Sequence, residues 1–484
     1  MEHTSHPPAD IAIIGLGVMG TSLARNFRSR GQTVAVFDVR DARRAEFITE
    51  YGAEGDGGRF VVCDDYASLL TAFQGAPARM LLMVTAGKVV DLVLEALAPV
   101  LAARPSEGGR HIVIDGGNSH FPNTERRVKW ADERGFSFFG MGVSGGEKGA
   151  LEGPSMMPGG DKDSWEILGP VLTPAAAVSD SGPCVTWCGY GSAGHFVKMV
   201  HNGIEYGDMQ LIAEVYGLMS AMGHTPQQMR TAFQAYNSGP LASYLIEITA
   251  DIVGARDPQG DGPLVAQILD VAGQKGTGRW TSISAIELGV PVPTVTAAVD
   301  GRALSAMKAV RERADVAFPT PDYVPVLSDD VLGDALYAAK LMSYTQGFAL
   351  LRAGSEARGY ETDLPEIARI WKAGCIIRAA FLDRVYDAFK ADPDLPSLAL
   401  SPDFAQDLTE RIPALRTVVR EAIAAGRPVP GLSASLAYFD TLAHGRGTAS
   451  VIQAQRDYFG AHTYRRFDAP ETPVHSQWED LDQL

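Results

Sequence analysis

The sequence predicts an α/β domain over residues 1–191, a large all-α domain over residues 192–444 and a C-terminal tail over residues 445–484. Short β-branched runs alternate with helical stretches up to about Gly189, and this alternation is typical of a doubly wound parallel sheet. Beyond Gly191 the strand signals nearly vanish and long helical periodicities replace them. A chain of 484 residues is long enough for about three such units.

Four short apolar segments are the predicted strands of the sheet. They are rich in β-branched and aliphatic residues, as expected for strands that are buried on both faces. They run from Ile11 to Ile14, from Thr33 to Phe37, from Met80 to Val84 and from His111 to Ile114. In the second domain, the clearest helical stretches run from His195 to Met222 and from Asp329 to Arg358.

The charge balance excludes several classes of function. With 42 Lys and Arg against 58 Asp and Glu, the net charge is −16, so the chain repels a nucleic-acid backbone and we predict no nucleic-acid partner. No apolar run approaches the roughly 20 residues that a membrane helix requires. The first ten residues also lack a basic segment followed by an apolar one. We therefore expect a cytoplasmic protein with no membrane segment.

The cysteines are too sparse for a disulfide framework in a chain of this length, which favours a reducing compartment. The four cysteines are Cys63, Cys184, Cys188 and Cys375. Cys184 and Cys188 are the closest pair, but no second Cys or His pair stands at a suitable ligand spacing. We therefore predict no metal site.

A glycine-rich turn, Gly15-Leu16-Gly17-Val18-Met19-Gly20, follows the first predicted strand and opens a helix that should reach about Arg30. Strand, glycine turn, helix and second strand in this order predict a Rossmann-type dinucleotide-binding domain. Gly15 permits the tight turn, Gly17 lets the backbone approach a pyrophosphate, and Gly20 lets the helix pack on the strand. The free N–H groups of the helix N-terminus favour the anion. A turn without a ligand is the less favoured alternative.

The second strand ends at Asp38, eighteen positions after Gly20. An acidic residue at this place usually accepts hydrogen bonds from the adenosine ribose, which favours NAD. Arg40, Arg43 and Arg44 follow directly, and their guanidinium groups could instead cradle the 2′-phosphate of NADP. They could equally be a solvated helix start. The sequence leaves the choice between NAD and NADP open.

Four polar residues, Lys198, His201, Asn202 and Glu205, stand at i, i+3, i+4 and i+7 in an otherwise apolar helical segment. At about 100° per residue they fall within an arc of roughly 100°, so they share one helix face. Burying such groups is costly unless they pair with each other or with a ligand, which favours a functional site over an exposed ladder of ion pairs. Desolvation lowers the pKa of a lysine and raises that of a carboxylate, so Lys198 and Glu205 are candidates for two proton transfers.

Further polar segments are candidates for holding an anionic substrate. The turn Gln274-Lys275-Gly276-Thr277-Gly278 lacks the residue order of a nucleotide P-loop, but Lys275 between small neighbours can approach a phosphate. Arg302 and Arg456 are other candidates, although taken singly each is more commonly a surface charge. Two more turns, 115–119 and 143–147, offer hydroxyl, amide and backbone donors near the carboxyl edge of the sheet, or are simply tight loops.

Taken together, these segments resemble the decarboxylating 6-phosphogluconate dehydrogenase family over almost the whole chain. The matching motifs occur in order along the chain. They are residues 11–20, Ile114-Asp115-Gly116-Gly117-Asn118-Ser119, Val143-Ser144-Gly145-Gly146-Glu147, Lys198-Met199-Val200-His201-Asn202-Gly203-Ile204-Glu205-Tyr206, residues 274–278 and residues 453–464.

The resemblance implies oxidative decarboxylation of 6-phosphogluconate to ribulose 5-phosphate with reduction of NAD or NADP, and no metal. Lys198 would be the general base and acid, and Glu205 would assist protonation of the enediol. The implied substrate-binding residues are Asn118, Ser144, Gly145, Gly146, His201, Asn202, Tyr206, Lys275, Arg302, Arg456 and His462. The implied cofactor-binding residues are Gly15, Leu16, Gly17, Val18, Met19, Gly20, Asp38, Val39, Arg40, Val84, Thr85, Ala86 and Asn118. The resemblance further implies a homodimer in which Arg456 and His462 reach the partner's site.

Two departures from the family pattern concern the cofactor. Many NADP-dependent members resemble Asn-Arg-Thr after the second strand, where this chain has Asp38-Val39-Arg40. The family often has a lysine after the fourth strand, where this chain has Val84-Thr85-Ala86.

Two other functions remain open at this point. A different β-hydroxyacid dehydrogenase, such as one acting on hydroxyisobutyrate, is similar around the glycine turn and the lysine but is usually shorter. A catalytically silent sensor of nucleotide or sugar phosphate is the second alternative, and it has no need of Lys198 and Glu205.

Overall fold

A computed structural model describes residues 7–53 and 58–481. The prediction about the first ten residues therefore lies partly outside the described residues, because residues 1–6 are not among them. Residues 482–484 of the predicted tail also lie outside the described residues. The chain forms two compact units, residues 1–435 and residues 436–484, which are described separately.

The first unit begins with a seven-stranded sheet in the order β3-β2-β1-β4-β5-β6-β7. All neighbouring pairs are parallel except β6 and β7. The strands are β1 (Ile11–Ile14), β2 (Thr33–Phe37), β3 (Arg59–Val62), β4 (Arg79–Leu82), β5 (Ile112–Asp115), β6 (Ser137–Ser144) and β7 (Ser155–Gly159). The strand order reverses between β1 and β4, and ligands of such sheets bind at the carboxyl ends of the strands at this point.

The predicted α/β domain is confirmed, with small differences at the strand ends. Strands β1 and β2 have the predicted bounds, whereas β4 ends at Leu82 because the chain then turns towards Gly87, whose φ is +96°. Central strands are buried on both faces, which explains their continuous aliphatic runs. Strands β3, β6 and β7 were not among the predicted strands, and in β6 glycines and aromatic residues obscure the strand pattern.

Helices cover the sheet and then form the rest of the first unit. Those around the sheet are α1 (Val18–Ser29), α2 (Asp41–Tyr51), α3 (Tyr66–Thr71), α4 (Lys88–Ala102), α5 (Phe121–Asp132), α6 (Gly146–Glu152) and α7 (Lys162–Leu172). A two-stranded hairpin, β8 (Val178–Ser179) and β9 (Gly182–Pro183), precedes the helical region.

The helical region confirms the predicted all-α part of the chain. Its helices are α8 (Ala193–Ala221), α9 (Pro226–Asn237), α10 (Tyr244–Gly254), α11 (Thr277–Glu287), α12 (Pro293–Ser305), α13 (Lys308–Ala317), α14 (Asp329–Arg358), α15 (Leu364–Ile370), α16 (Leu382–Ala391), α17 (Pro402–Ala424) and α18 (Pro430–Leu442). Short 3₁₀ helices lie at Thr173–Ala175, Leu264–Gln267 and Leu398–Leu400. Helix α14 packs against both α8 and α17.

The second unit contains α19 (Ala449–Gly460), the antiparallel hairpin β10 (Tyr464–Arg466) and β11 (Ala469–Val474), and a 3₁₀ turn at Trp478–Asp480. The hairpin is an addition to the prediction, which expected few strands beyond Gly191.

Four properties of the described residues bear on the sequence expectations. No helix within them is long and apolar enough to span a membrane. Over the same ranges, no group of three or more His, Cys, Asp or Glu side chains is arranged to hold a metal ion. The four cysteines form no disulfide and are buried. Burial raises the pKa of the Cys375 thiol to about 12.

Candidate active site

The N-terminal half of α8 lies directly against β6 and β7, and glycines make this approach possible. A Cβ on Gly194 would lie 2.1 Å from the Gly140 carbonyl oxygen, and a Cβ on Gly159 would lie 2.2 Å from the Gly194 nitrogen. Backbone therefore packs on backbone at the start of α8. This contact fixes the position of the polar stripe that begins one turn later at Lys198.

Lys198 is 5% exposed and lies against β6. A Cβ on Gly142 would lie 2.4 Å from the Lys198 Cβ, so only a glycine leaves room for the lysine chain. Burial lowers the pKa of Lys198, and the nearby carboxylate of Glu205 opposes this shift only in part. A neutral amine is thus accessible at lower pH than in an exposed lysine, as a general base requires.

His201 joins the stripe to the strand. Its Nε2 lies 3.2 Å from Ser144 Oγ at the end of β6, and its Nδ1 lies 3.0 Å from Asn202 Oδ1. Glu205 Oε2 is 3.9 Å from the same Nδ1. Burial and the neighbouring Lys198 hold the pKa of His201 well below its usual value, so the imidazole is neutral. These contacts confirm that the stripe faces inward rather than forming an exposed ladder.

Glu205 is only partly covered, with its side chain 23% exposed. Burial raises its pKa, the charges of Lys198 and Arg302 act in the opposite direction, and Asp208 adds to the increase. Lys198 and Glu205 therefore have pKa values displaced towards each other, which is the arrangement expected for a base and an acid that act near neutral pH.

A third segment, which the sequence did not predict, closes this region. The loop 371–376 brings the Ile376 N–H to 3.4 Å from Ser144 Oγ, and the Gly374 carbonyl accepts a hydrogen bond of 2.8 Å from the Ser155 N–H. The Trp371 ring stands edge-on to the His201 ring at 5.5 Å. The sequence signal was a glycine that interrupts helical periodicity at 374, where φ is +66°.

A second group of predicted residues lies around Tyr206, which directly follows Glu205 on α8. It contains Tyr206, Arg302 and the turn before α11. The Arg302 guanidinium lies 3.4 Å from the centre of the Tyr206 ring and donates to the Gly273 carbonyl at 3.2 Å. A Cβ on Gly278 would lie 2.5 Å from the same ring. Lys275 lies on this turn and is exposed. The structure thus groups Tyr206, Lys275 and Arg302, three of the residues that the resemblance implies for binding the substrate.

Asn118 lies exposed on the loop that follows β5. This loop is shaped by the fully buried Asp115, whose carboxylate accepts from the Gly117 N–H at 3.0 Å and from Ser119 Oγ at 2.6 Å. Arg127 neutralises Asp115 at 3.3 Å and also donates to the Gly87 carbonyl at 2.7 Å. The loops after β4 and β5 are therefore tied together, a role for Arg127 that the sequence did not predict.

The glycine turn fits a dinucleotide. Gly15 has φ +99° and a Cβ there would lie 2.6 Å from the Met83 carbonyl oxygen, while a Cβ on Gly20 would lie 2.0 Å from the Gly15 carbonyl oxygen. A Cβ on Gly17 would meet open space, so this is the point where a ligand can approach the backbone. No side chain caps the N-terminus of α1, and its first turn has no acidic residue, which leaves its N–H groups to an anion.

The other predicted cofactor residues lie around this turn or on the neighbouring loop. Leu16 is buried and Met19 is half-buried, while Val18 and Val39 are exposed. Arg40 is exposed and paired with the buried Asp38. In the loop after β4, Val84 is half-buried, and Thr85 and Ala86 are exposed. Gly145 and Gly146, predicted for the substrate, start α6 with φ of +116° and +64°.

Arg456 and His462 lie in the second unit, where both are exposed. Their neighbour Asp457 is fully buried and accepts hydrogen bonds from the Thr463 N–H, His475 Nδ1, the Ser476 N–H and Trp478 Nε1 at 2.8–3.1 Å. These hydrogen bonds lower the pKa of Asp457 to about 2. One carboxylate thus fixes the turn that presents His462.

Comparison with known proteins covers almost the full chain. Residues 10–189 match the family described as the NAD binding domain of 6-phosphogluconate dehydrogenase, and residues 194–478 match its C-terminal domain. A relative from Synechococcus elongatus named "6-phosphogluconate dehydrogenase, decarboxylating" is 48% identical and covers 96% of this chain and 98% of its own. A Bacillus subtilis relative named "6-phosphogluconate dehydrogenase, NADP(+)-dependent, decarboxylating" is 44% identical, with 97% and 98% covered.

A solved structure agrees with these matches. The Plasmodium falciparum 6-phosphogluconate dehydrogenase, described in its apo form and in complexes with its cofactor NADP+ and its substrate 6-phosphogluconate, has a TM-score of 0.90 and 40% identity to this chain. It is covered over 100% of its length and covers 97% of this chain. Fold, helical region and tail are therefore matched as one continuous sequence, and the chain belongs to the 6-phosphogluconate dehydrogenase family.

Proposed function

We propose that this protein catalyses the oxidative decarboxylation of 6-phosphogluconate to ribulose 5-phosphate and CO₂, with Lys198 and Glu205 as its proton-transfer groups. The observation that carries this assignment is the buried Lys198, whose pKa is lowered. Glu205 lies on the same helix face and has a raised pKa, so the two residues form a base and acid pair. The full-length similarity to decarboxylating relatives supports the substrate and the reaction.

The first step is oxidation at C3 of the substrate. Neutral Lys198 removes the proton of the C3 hydroxyl as the hydride leaves C3, which gives a β-keto acid. A bound nicotinamide supplies the hydride acceptor. Because burial favours the neutral amine, Lys198 is available as the base without a large rise in pH.

Decarboxylation and protonation follow at the same two residues. The Lys198 ammonium donates a hydrogen bond to the C3 keto oxygen, which stabilises the enolate that forms as the C1–C2 bond breaks and CO₂ departs. Glu205 then donates a proton to the carbon that has lost the carboxylate. A proton passing from Lys198 to Glu205 restores both groups, so the cycle consumes and releases no net proton.

The remaining polar residues would align the substrate around this pair. Neutral His201, fixed by Ser144 and Asn202, offers hydrogen bonds to the hydroxyls and the carboxylate. Gly145, Gly146 and Asn118 would do so through backbone and amide groups. Tyr206, Lys275, Arg302, Arg456 and His462 would hold the phosphate end, because guanidinium and ammonium groups match phosphate oxygens.

A homodimer is the second part of the proposal. Helix α13 buries none of its residues, although it carries Val310 and Val316 and is followed by the exposed Phe318 and Val326. Such a run of exposed apolar side chains is typical of a protein interface. In this dimer, Arg456 and His462 would complete the phosphate site of the partner. A cytoplasmic location and the domain boundaries at residues 191 and 444 stay predictions.

The reaction is tested by initial rates of nicotinamide reduction with 6-phosphogluconate, with NAD and NADP in parallel and the released CO₂ trapped. Reduction with stoichiometric CO₂ is expected. Absence of reduction with either cofactor, from protein with a native circular-dichroism spectrum, would contradict the proposal. Dimerisation is tested by light scattering of the same preparation, and a monomer at micromolar concentration would refute it.

A further inference from the structure

The carboxylate of Asp38 occupies the end of β2, beside the glycine turn. It is buried, with one oxygen accepting from the Leu16 N–H at 2.9 Å and the other from the Arg40 N–H at 3.0 Å. These hydrogen bonds and the Arg40 guanidinium hold its pKa below the usual value despite burial, so it is ionised at neutral pH. A carboxylate at this strand end is placed to accept hydrogen bonds from the adenosine ribose hydroxyls.

Two of the three nearby arginines already have structural roles. Arg43 donates through Nε to the Leu16 carbonyl at 2.6 Å and through Nη2 to Thr21 Oγ1 at 3.1 Å. Arg44 is 11% exposed and donates to the Asp38 carbonyl at 2.6 Å and to Asp41 at 2.8 Å. Arg43 thus connects α2 to the glycine turn and α1, and Arg44 connects α2 to the residue that follows β2. Turning either one towards a phosphate would remove these hydrogen bonds.

The third arginine, Arg40, is exposed, but its charge is already paired with Asp38. The Arg40 side chain is 67% exposed, and its guanidinium contacts both oxygens of Asp38 at 3.1 and 3.4 Å. A 2′-phosphate approaching Arg40 would compete with Asp38 for the same donors and would meet its negative charge. Val39 between them is 73% exposed and brings no hydrogen-bond donor.

We infer that this protein uses NAD in preference to NADP, and that Asp38 sets the preference. The 2′-hydroxyl of NAD can donate a hydrogen bond to the carboxylate, whereas the 2′-phosphate of NADP cannot donate when ionised and adds like charge beside it. The inference rests on the proposed function only in placing a dinucleotide at this turn. It differs from the cofactor named for the Bacillus subtilis and Plasmodium falciparum relatives.

The binding of adenine nucleotides that lack the nicotinamide measures the discrimination at the 2′-position separately from catalysis. Isothermal titration of the whole protein with AMP and with adenosine 2′,5′-bisphosphate compares ligands that differ only in the 2′-phosphate, and titrations with NAD and NADP repeat the comparison. We expect AMP and NAD to bind at least about tenfold more tightly than their 2′-phosphorylated counterparts. Equal or tighter binding of the 2′-phosphorylated ligands would overturn the inference.

Asp38→Asn tests the residue itself, with Asp41→Asn as the matched control. Both substitutions remove one negative charge, but Asp41 is 90% exposed on α2 and does not lie at the strand end. Asp38→Asn should lower the ratio of NAD to NADP affinity, and of the two kcat/KM values, by about tenfold, because the like charge is lost. Asp41→Asn should leave both ratios within about twofold. An equal change in the two variants would refute the assignment to Asp38.

Asn at position 38 retains one oxygen that can accept from the Leu16 N–H. The substitution could still disturb the glycine turn, and this effect must be distinguished from a loss of discrimination between NAD and NADP. Asp38→Ser provides a second variant, and the ratio of affinities is the deciding quantity, since a disturbed turn weakens both cofactors together. If both cofactors bind with the expected ratio and no CO₂ is released, the proposed reaction fails while this inference stands. If CO₂ is released with NADP preferred, the reaction stands and this inference fails.

Discussion

Gly142 and Lys198 are in contact across the junction of β6 and α8, with the α-carbon of the glycine facing the first carbons of the lysine side chain. A Cβ at position 142 would lie 2.4 Å from the Lys198 Cβ and 2.8 Å from its Cγ. The position of the amine is therefore set by the absence of a side chain on a neighbouring strand.

Gly142→Ala should lower kcat by about 100-fold, since an ångström-scale displacement of a catalytic group has effects of this size. Gly217→Ala on α8 is the control, because a Cβ there meets open space. This control should keep full activity and gain up to about 1 kcal/mol of stability. Steady-state kinetics and thermal unfolding check both variants, and wild-type kcat in Gly142→Ala would show that the contact does not position Lys198.

Lys198→Met removes the base while keeping an unbranched side chain of similar length. We expect kcat to fall by about 10³-fold or more, within the range for a lost general base, while the Kd for 6-phosphogluconate changes little. Lys390→Met, at an exposed position on α16, should behave as wild type. If Lys198→Met binds substrate and turns over as well as the parent, the role of the lysine is wrong.

Glu205→Gln tests the second proton-transfer group through the pH profile. In the wild type, activity requires neutral Lys198 and protonated Glu205, so kcat/KM should rise with pH as the lysine loses its proton and fall as the glutamic acid ionises. Glutamine does not titrate, so the variant should lose the falling limb and about 100-fold in kcat. The exposed Glu410→Gln is the control. A falling limb that persists in Glu205→Gln would assign it to another group.

Glu214 on α8 predicts a pH dependence of stability. Its two oxygens accept from the Gly431 and Leu432 N–H groups at the start of α18, at 2.7 and 2.8 Å. Burial raises its pKa to about 7, so the folded state holds a proton that the unfolded state releases near pH 4.5. Folded protein binds more protons between these values, so stability decreases as the pH rises through this window, by up to about 3 kcal/mol.

Glu214→Gln should remove this pH dependence, at a cost of about 1 kcal/mol for one lost hydrogen bond. Unfolding midpoints measured from pH 5 to pH 8 should therefore fall for the wild type and stay level for the variant, so that the variant is the more stable of the two at pH 8. Parallel curves would mean that Glu214 has no raised pKa in the folded protein.

Asp457 should act on substrate affinity through the tail. Its four hydrogen bonds fix the turn that carries His462, and Arg456 precedes it directly in α19. If the tail binds the phosphate, Asp457→Asn should raise KM for 6-phosphogluconate about tenfold with kcat and the KM for the cofactor nearly unchanged, because uniform binding is lost. Asp468→Asn, which breaks only an exposed pair with Arg466, is the control. A fall in kcat alone would argue against a binding role.

Much of this site could be anticipated from local sequence. The glycine turn, Asp38 and the stripe from Lys198 to Glu205 are periodic or contiguous patterns, and their geometry follows from helix and strand repeats. By contrast, the contacts of Ser144 with His201 and with the loop 371–376 join segments far apart in the chain. No local periodicity encodes such pairings.

The sequence by itself determined the change from an α/β to an all-α region, the dinucleotide turn and the shared face of Lys198 and Glu205, because backbone repeats and glycine conformations are local properties. Tertiary structure alone decided which arginines near Asp38 are engaged, how deeply Lys198 is buried and which glycine makes room for it. Those outcomes depend on desolvation and steric contact between distant segments, and both exist only once the chain has packed.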